Sequence, residues 1–219
     1  MSARRQRQMC IRDRLEGIYE PMLEKLKAQG GYLCNEEEKA ALRNTLWDEE
    51  LHLNTAIVAQ PPEKIAQMAG LSIPEETKFF IVPEEGWGPE HPFSGEKLSV
   101  IMALYRARDI DHAIELTQNI QAYQGQGHSC GIYSSSDENI MKLAENTYTS
   151  RVMVNQPQAA SNSGNVWNGM RQTFSLGCGS WGGNGTNNNI SWRDLINETW
   201  VSMPLPENKV IPPDEELFG

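Results

Sequence analysis

The chain has 219 residues, of which 39% are hydrophobic, which suffices for the core of one ordinary domain and excludes wholesale disorder. The formal net charge of −10 argues against a broad nucleic-acid-binding face. No run approaches the roughly 18–20 consecutive apolar residues that a membrane span needs, so no membrane partner is expected.

The first 14 residues differ from the rest. They hold five of the chain's 19 Lys and Arg residues and a single acid. They lack the apolar centre of a secretory signal, and they resemble translated sequencing-adapter sequence. We therefore interpret residues 1–14 as a non-native segment and leave them out of the predicted fold.

Helices are predicted in the first part of the chain. The apolar spacing over 15–29 is typical of an amphipathic helix. Asn35, followed three residues later by Glu38, is a capping-box pattern that indicates the start of a second helix. The Pro pair at 61–62 indicates the start of a third, because proline is favoured in the first helical turn.

From residue 78 the pattern changes to short apolar runs alternating with helices. Strands are predicted at 78–82, 98–106, 129–134 and 150–155, with helices at 109–123 and 136–146, the latter capped by Ser135. The 98–106 run is a nearly continuous apolar stretch, as expected of a parallel strand buried on both faces. We predict an α/β fold in which a parallel sheet lies between two helical layers.

The end of the chain is less regular. Residues 156–191 show no periodicity and predict functional loops that complete a domain over 15–191. The β-prone stretch 195–203 predicts a strand, and we assign 192–219 to an oligomerisation strand and tail.

Cysteines and histidines show no metal-ligand pattern. The four cysteines form no C-x-x-C pair, and without a signal peptide reduced thiols in a cytoplasmic protein are expected. His52, His91 and His112 have no ligand spacing with cysteines or carboxylates, so no metal is implied.

Glycine is concentrated in 176–184, LGCGSWGGN. The stretch lacks the lysine and hydroxyl of a P-loop, and it opens no helix as a dinucleotide-binding loop does. It is either a tight surface loop or a rigid turn that lines a pocket. Cys178 has no evident partner base, which favours a pocket-lining thiol over a nucleophile.

Three segments carry a family resemblance: GCGSWGGN at 177–184, GEKLS at 95–99 and GQGHSC at 125–130. They resemble the C-terminal half of CoA-acylating aldehyde dehydrogenases, the family of the acetaldehyde, succinate-semialdehyde and sulfoacetaldehyde enzymes. The similarity extends over nearly everything from residue 15 to about 203. The GCGSWGGN block distinguishes this branch from hydrolytic aldehyde dehydrogenases. Gly185 is a departure, since many relatives have serine there.

The resemblance implies an NAD- or NADP-dependent oxidation of a small aldehyde, with coenzyme A as co-substrate. In this family a nucleotide-binding domain comes first, and the nucleophilic cysteine lies shortly before the helix that matches 15–29. Both are expected to be missing here. Cys10 lies too close to that helix, within the adapter-like segment, and is not expected to be the nucleophile.

The resemblance also assigns site residues. Glu96 matches the glutamate that binds the nicotinamide ribose, and Leu98 matches a residue packed near the nicotinamide. His128 matches a histidine that could take a proton from the CoA thiol. A substrate-pocket loop is assigned to Gly177, Cys178, Gly179 and Trp181. From the pattern alone, a solvated Glu96, a core Leu98 and a structural His128 stay open.

Two other functions stay open as well. One is a non-acylating aldehyde dehydrogenase, which hydrolyses its thioester. The other is a non-catalytic fragment that only assembles. In either case the resemblance implies a homo-oligomer, with self-association through about 195–203.

Overall fold

The computed structural model describes residues 11–204, 213 and 215–216, with side chains from residue 17 onward. Strands and helices alternate along the chain in the following order: β1 Ile11–Leu15, α1 Glu16–Ala28, β2 Gly31–Leu33, α2 Glu36–Leu46, α3 Pro62–Ala69, β3 Phe79–Pro83, β4 Ile101–Ala107, α4 Ile110–Tyr123, β5 Cys130–Ile132, α5 Asp137–Asn146, β6 Val152–Val154 and α6 Gln158–Ser161. Short 3-10 helices occupy Thr55–Ile57, Pro92–Ser94, Ser180–Gly182 and Trp192–Leu195.

The predicted α/β architecture is confirmed, with two parallel sheets in the described chain in place of one. The larger sheet has the order β1-β4-β3-β2, and β5 pairs with β6 in a smaller one. Side chains alternate across the larger sheet, so that Phe80 and Tyr105 pack towards α2, α3 and α4. Ile81 and Leu104 face the other way, onto α1. Helices therefore cover both faces of the sheet.

Local signals start the helices where the sequence predicts, with one correction. The Asn35 side chain accepts from the Glu38 backbone, and the Glu38 carboxylate accepts from the Asn35 N–H, at 2.9 Å each. The helix at Asp137–Asn146 is capped by Ser136, whose Oγ accepts from the Asn139 N–H. The prediction of Ser135 as this cap was wrong by one residue, because any of the three consecutive serines at 134–136 can accept from a helical N–H.

Part of the segment that we left out of the fold belongs to a strand. Ile11–Leu15 pairs in parallel with β4, from Ile11 opposite Ala103 to Leu15 opposite Ala107. Backbone hydrogen bonds to an open strand edge need no particular side chains, which explains how an unpromising sequence forms a strand there. The non-native origin of residues 1–14 stays a prediction, and residues 1–10, with Cys10, lie outside the described residues.

The stretch 195–203 forms no strand within the described chain, and its pairing with another copy stays a prediction. Residues 192–195 form a 3-10 helix, and 196–204 have no regular structure. A strand needs a neighbouring edge to bond, and the structure places none beside this stretch. Across the described residues, every helix is too short or too polar to cross a membrane.

Candidate functional site

Glu96 lies in a turn between β3 and β4 that is held from both sides. Its backbone N–H donates to the Gln124 Oε1 at 2.7 Å, at the end of α4. The neighbouring Lys97 is buried, and its Nζ donates to the carbonyls of Phe93 and Gly95 at 2.6 and 2.8 Å. These bonds fix the backbone around Glu96, whose side chain is half-buried.

Leu98 has a strained backbone. Its φ of 44° lies in the left-handed region, where a branched side chain costs roughly 1–3 kcal/mol. The Leu98 carbonyl accepts from the Ala59 N–H at 3.0 Å, which ties this turn to the segment before α3. Backbone strain next to a predicted cofactor residue is typical of functional sites.

A buried carboxylate anchors the start of the loop that leads to Glu96. The Glu84 Oε1 lies 2.8 Å from the His91 Nδ1 and 3.3 Å from the Lys39 Nζ. Gly86 lies against the His91 ring, and a Cβ there would come within 2.4 Å of the ring. The 84–95 loop is thus held at both ends by side-chain contacts.

His128 lies buried in the turn after α4. Its Nδ1 is 2.8 Å from the Ser129 Oγ. That hydroxyl also accepts from the Gln158 and Asn162 side-chain amides, at 3.0 and 3.4 Å. The tautomer of the ring decides which of the two atoms donates in the contact between Nδ1 and the Ser129 Oγ.

The glycine-rich loop packs directly onto the His128 turn. Gly127 has a φ of 83°, and a Cβ on it would meet the Cys178 carbonyl oxygen at 2.1 Å. A Cβ on Gly182 would lie 2.4 Å from the Cys178 Cβ and 2.9 Å from the Gln126 carbonyl oxygen. Two glycine motifs separated by about 50 residues in sequence therefore touch through their backbones, which only glycine permits.

Within the loop, hydrogen bonds from backbone N–H groups fix three of the four predicted pocket residues. The Gly177 and Gly179 N–H groups donate to the carbonyls of Asn188 and Thr186, at 3.0 and 2.9 Å. The Cys178 N–H donates to the Asn184 Oδ1 at 2.9 Å. The structure thus orders the loop from within.

Cys178 and Trp181 differ in their surroundings. The Cys178 side chain is half-buried near the Arg151 guanidinium, a cation that cannot accept a proton. This environment agrees with a pocket-lining thiol. Trp181 is 44% exposed and packs against Tyr148, with ring centroids 6.3 Å apart.

Sequence analysis missed Arg151, the buried side chain on which the glycine-rich loop rests. Its guanidinium donates to Asn189 Oδ1 at 2.6 Å and to the carbonyls of Gly177 and His128 at 3.0 and 3.3 Å. Burial lowers its pKa. The available signal was the position of this arginine at the start of the apolar run 150–155, since charged side chains are rarely buried unless they have bonding partners.

The other thiols and histidines lie apart from this arrangement. Cys34 is buried in the main core, and burial raises its pKa to about 12, while Cys130 bonds to Thr147 and Thr149. His52 lies beside Asp48 and Glu50, with potential ligand atoms within 4.8 Å of one another. All three are exposed, and such surface groups are common without an ion.

A cavity of about 800 Å³ separates the two sheets. Its lining is mostly apolar and includes Ile101 and Met102 from β4, Ile120 from α4 and Ile132 from β5. Gln121 lines it too, with a buried Oε1 that has no hydrogen-bond partner. The cavity lies beside β5, which directly follows His128.

The chain resembles known enzymes along most of its length. It is 37% identical over 207 residues to the acylating sulfoacetaldehyde dehydrogenase of Cupriavidus necator, covering 94% of this chain and 41% of the relative. The acylating sulfoacetaldehyde dehydrogenase of Bilophila wadsworthia is 38% identical, with 94% and 45% covered. Comparison with protein-family models gives no match.

A solved structure agrees with these relatives. The acetylating aldehyde dehydrogenase of Geobacillus thermoglucosidasius superposes with a TM-score of 0.84 at 32% identity, covering 92% of this chain and 45% of that one. The chain thus spans about two fifths of the length of the curated relatives it matches. Fold and sequence together show that the chain is an α/β protein that matches part of these dehydrogenases. The chain belongs to the CoA-acylating aldehyde dehydrogenase family.

Proposed function

We propose that the chain forms the C-terminal part of the catalytic domain of an NAD- or NADP-dependent, CoA-acylating aldehyde dehydrogenase. The overall reaction converts an aldehyde, the oxidised nicotinamide cofactor and the CoA thiol to an acyl-CoA, the reduced cofactor and a proton. In this proposal the nucleophilic cysteine and the nucleotide-binding domain come from sequence outside this chain, and the enzyme acts in the cytoplasm.

One observation carries the proposal: the three segments that resemble the family adjoin one another. Gln124 bonds the Glu96 turn to the end of α4, directly before the His128 turn. The Gly127 backbone touches the Cys178 carbonyl of the glycine-rich loop. The segments at 95–99, 125–130 and 177–184 are therefore neighbours in space, which supports a shared active site.

Glu96 suits the cofactor role by its chemistry. A carboxylate can accept hydrogen bonds from both hydroxyls of a ribose, as acidic residues do in other dinucleotide sites. Gln124 and Lys97 fix the backbone around Glu96, so the residue lies in a defined turn. The cofactor, when bound, supplies the hydride acceptor, and Leu98 is proposed to pack beside its nicotinamide.

His128 is proposed to take the proton of the CoA thiol as it attacks the thioester. The Ser129 Oγ lies 2.8 Å from Nδ1 and orients the ring. The glycine-rich loop, with Cys178 and Trp181, is proposed to line the aldehyde pocket. Among small aldehydes we propose sulfoacetaldehyde, the substrate in the names of both enzymes reported above.

A chimera tests this function. Residues 15–219 replace the matching part of the Cupriavidus necator enzyme, and reduced cofactor is followed with sulfoacetaldehyde, acetaldehyde or succinate semialdehyde, with and without CoA. CoA-dependent turnover is expected.

Within the chimera, Glu96→Gln should raise the KM for the cofactor, and His128→Asn should lower the rate of the CoA-dependent step by about 10²–10⁴-fold. A folded chimera with no turnover on any aldehyde would exclude the proposal, and CoA-independent turnover would favour a hydrolytic enzyme.

A second candidate function is assembly, favoured by exposed apolar side chains near the end of the chain. Leu195, Trp200, Val201 and Met203 are each about four-fifths exposed or more. We propose that 195–203 pairs with another copy of the chain, which would cover this surface. Sedimentation of the chain, compared with a version ending at residue 191, distinguishes an oligomer that depends on this stretch from a monomer.

A further inference from the structure

A buried polar network connects the glycine-rich loop to His128. The Asn189 Oδ1 accepts from Arg151 Nε, and the Asn189 amide donates to the Asn162 carbonyl at 3.1 Å. The Asn162 amide in turn donates to the Ser129 Oγ at 3.4 Å, and that hydroxyl is bonded to the His128 Nδ1. These five residues are all buried, so the network lies inside the protein.

Arg151 makes five hydrogen bonds in this network, one for each of its N–H groups. Besides Asn189 and the carbonyls of Gly177 and His128, the acceptors are the carbonyls of Asn187 and Asn188, both at 3.1 Å. One planar side chain thus bonds the start of the glycine-rich loop, residues 187–189 that follow this loop, and the turn that carries His128.

The acceptors of Arg151 are all neutral. Within the described residues, no carboxylate lies within ion-pair distance of its guanidinium. Burying a charge without a counter-ion is costly, and a lysine has neither the fork nor the number of donors to bond these carbonyls together. The cost is offset only if the donors hold the acceptors in one defined arrangement.

We propose that Arg151, together with Asn189, is a positioning residue that locks the segment 176–189, which contains the glycine-rich loop, against the His128 turn, so that the two segments move as one unit. The catalytic role of this unit rests on the proposed function, in which the glycine-rich loop lines the aldehyde pocket and His128 acts on the thioester. The locking itself is a property of this chain alone.

Hydrogen exchange on the chain, read by mass spectrometry, tests the proposal without substrate or cofactor. Arg151→Lys keeps the charge and removes the fork, while Arg151→Met and Asn189→Ala remove the bonds. Arg171→Lys is the matched control, because Arg171 lines the same surface and its exposed guanidinium reaches, among the described residues, only Ser191 and Asp194, at 3.4 and 3.8 Å. The bond that the Arg171 carbonyl accepts from the Asn189 amide at 2.8 Å is a backbone contact that this substitution keeps.

Arg151→Lys should speed amide exchange about tenfold in both 125–130 and 176–190, because it removes roughly one charge-assisted hydrogen bond. Exchange in 79–107 should stay unchanged. Alkylation of Cys178, identified by peptide mapping, should rise in parallel, whereas Arg171→Lys should match the wild type. If Arg151→Met does not fold, the Arg151→Lys and Asn189→Ala variants test the proposal.

Three results would overturn the proposal. Wild-type exchange in Arg151→Lys would mean that charge alone suffices. Faster exchange in only one of the two segments would mean that they are not locked together. A uniform increase that includes 79–107 and follows the loss of thermal stability would make Arg151 a general structural residue. None of these results depends on whether the chimera is active.

Discussion

The layered region around β3 and β4 and the loop region from 125 to 191 are held together by different forces. In the first, fully buried side chains such as Phe80, Ile101 and Leu42 pack between the sheet and its helices. In the second, buried residues include Arg151, Asn162 and Asn189, and the backbones of two glycine motifs touch. One region depends on apolar area and the other on directional bonds.

The difference matters because apolar burial is roughly proportional to area and tolerates repacking, whereas hydrogen bonds and backbone contacts need defined positions. A site that must hold several backbone segments in register gains from the second kind of construction. We therefore expect substitutions in the layered region to lower global stability and substitutions in the loop region to act locally.

The largest expected effect is in the layered region. Phe80→Ala removes a fully buried ring that lies 6.2 Å from the Tyr32 ring, and it should cost about 3–5 kcal/mol of unfolding free energy. Chemical denaturation followed by circular dichroism measures this. Phe174→Ala is the control, because that ring is fully exposed and its loss should cost less than about 0.5 kcal/mol.

The next effect tests the loop region. Gly127→Ala places a Cβ 2.1 Å from the Cys178 carbonyl oxygen at a φ of 83°, so the glycine-rich loop must move away. We expect a loss of about 3 kcal/mol and faster alkylation of Cys178, with the amide exchange of β4 little changed. Gly185→Ala, which meets open space, should match the wild type. Equal loosening of β4 would contradict the separation of the two regions.

A smaller effect is visible only at high pH. Burial raises the pKa of Cys34 to about 12, so the folded state keeps its proton where the unfolded thiol, with a pKa near 8.5–9, has lost it. The free energy of unfolding should therefore fall as the pH rises from about 9 to 12, and Cys34 should contribute roughly 1.4 kcal/mol of this loss per pH unit. Cys34→Ala should flatten this dependence, and Cys178→Ser should leave it unchanged. An identical slope in both variants would assign the effect to other groups.

The smallest effect is one that both regions share. Asn35 and Ser136 each accept a hydrogen bond from a backbone N–H at the start of a helix, at 2.9 and 3.2 Å. Replacing either by alanine should cost about 1 kcal/mol, since local caps do not depend on the surrounding packing. Thermal unfolding of the two variants tests whether the costs agree. A cost several-fold larger at Ser136 would show that the loop side depends on its caps more than we infer.

The sequence by itself determined the helices, the buried strands and the family. Apolar spacing placed the helices predicted at 15–29, 109–123 and 136–146 to within one residue, because periodicity records which face each element buries. Local capping signals marked the starts of two more helices. The motif at 177–184 identified the branch of aldehyde dehydrogenases, because such loops need glycine at defined backbone positions. The three-residue strand β2 was missed, since so short a run carries no periodicity.

Tertiary structure alone decided how these pieces meet. The division into two sheets, the strand at Ile11–Leu15 and the absence of a strand in the described part of 195–203 depend on which edges lie next to one another. Arg151 and Asn189, 38 residues apart, become partners only after folding. Periodicity reports burial, which is local to an element, whereas hydrogen bonds between loops depend on three-dimensional proximity that no spacing along the chain encodes.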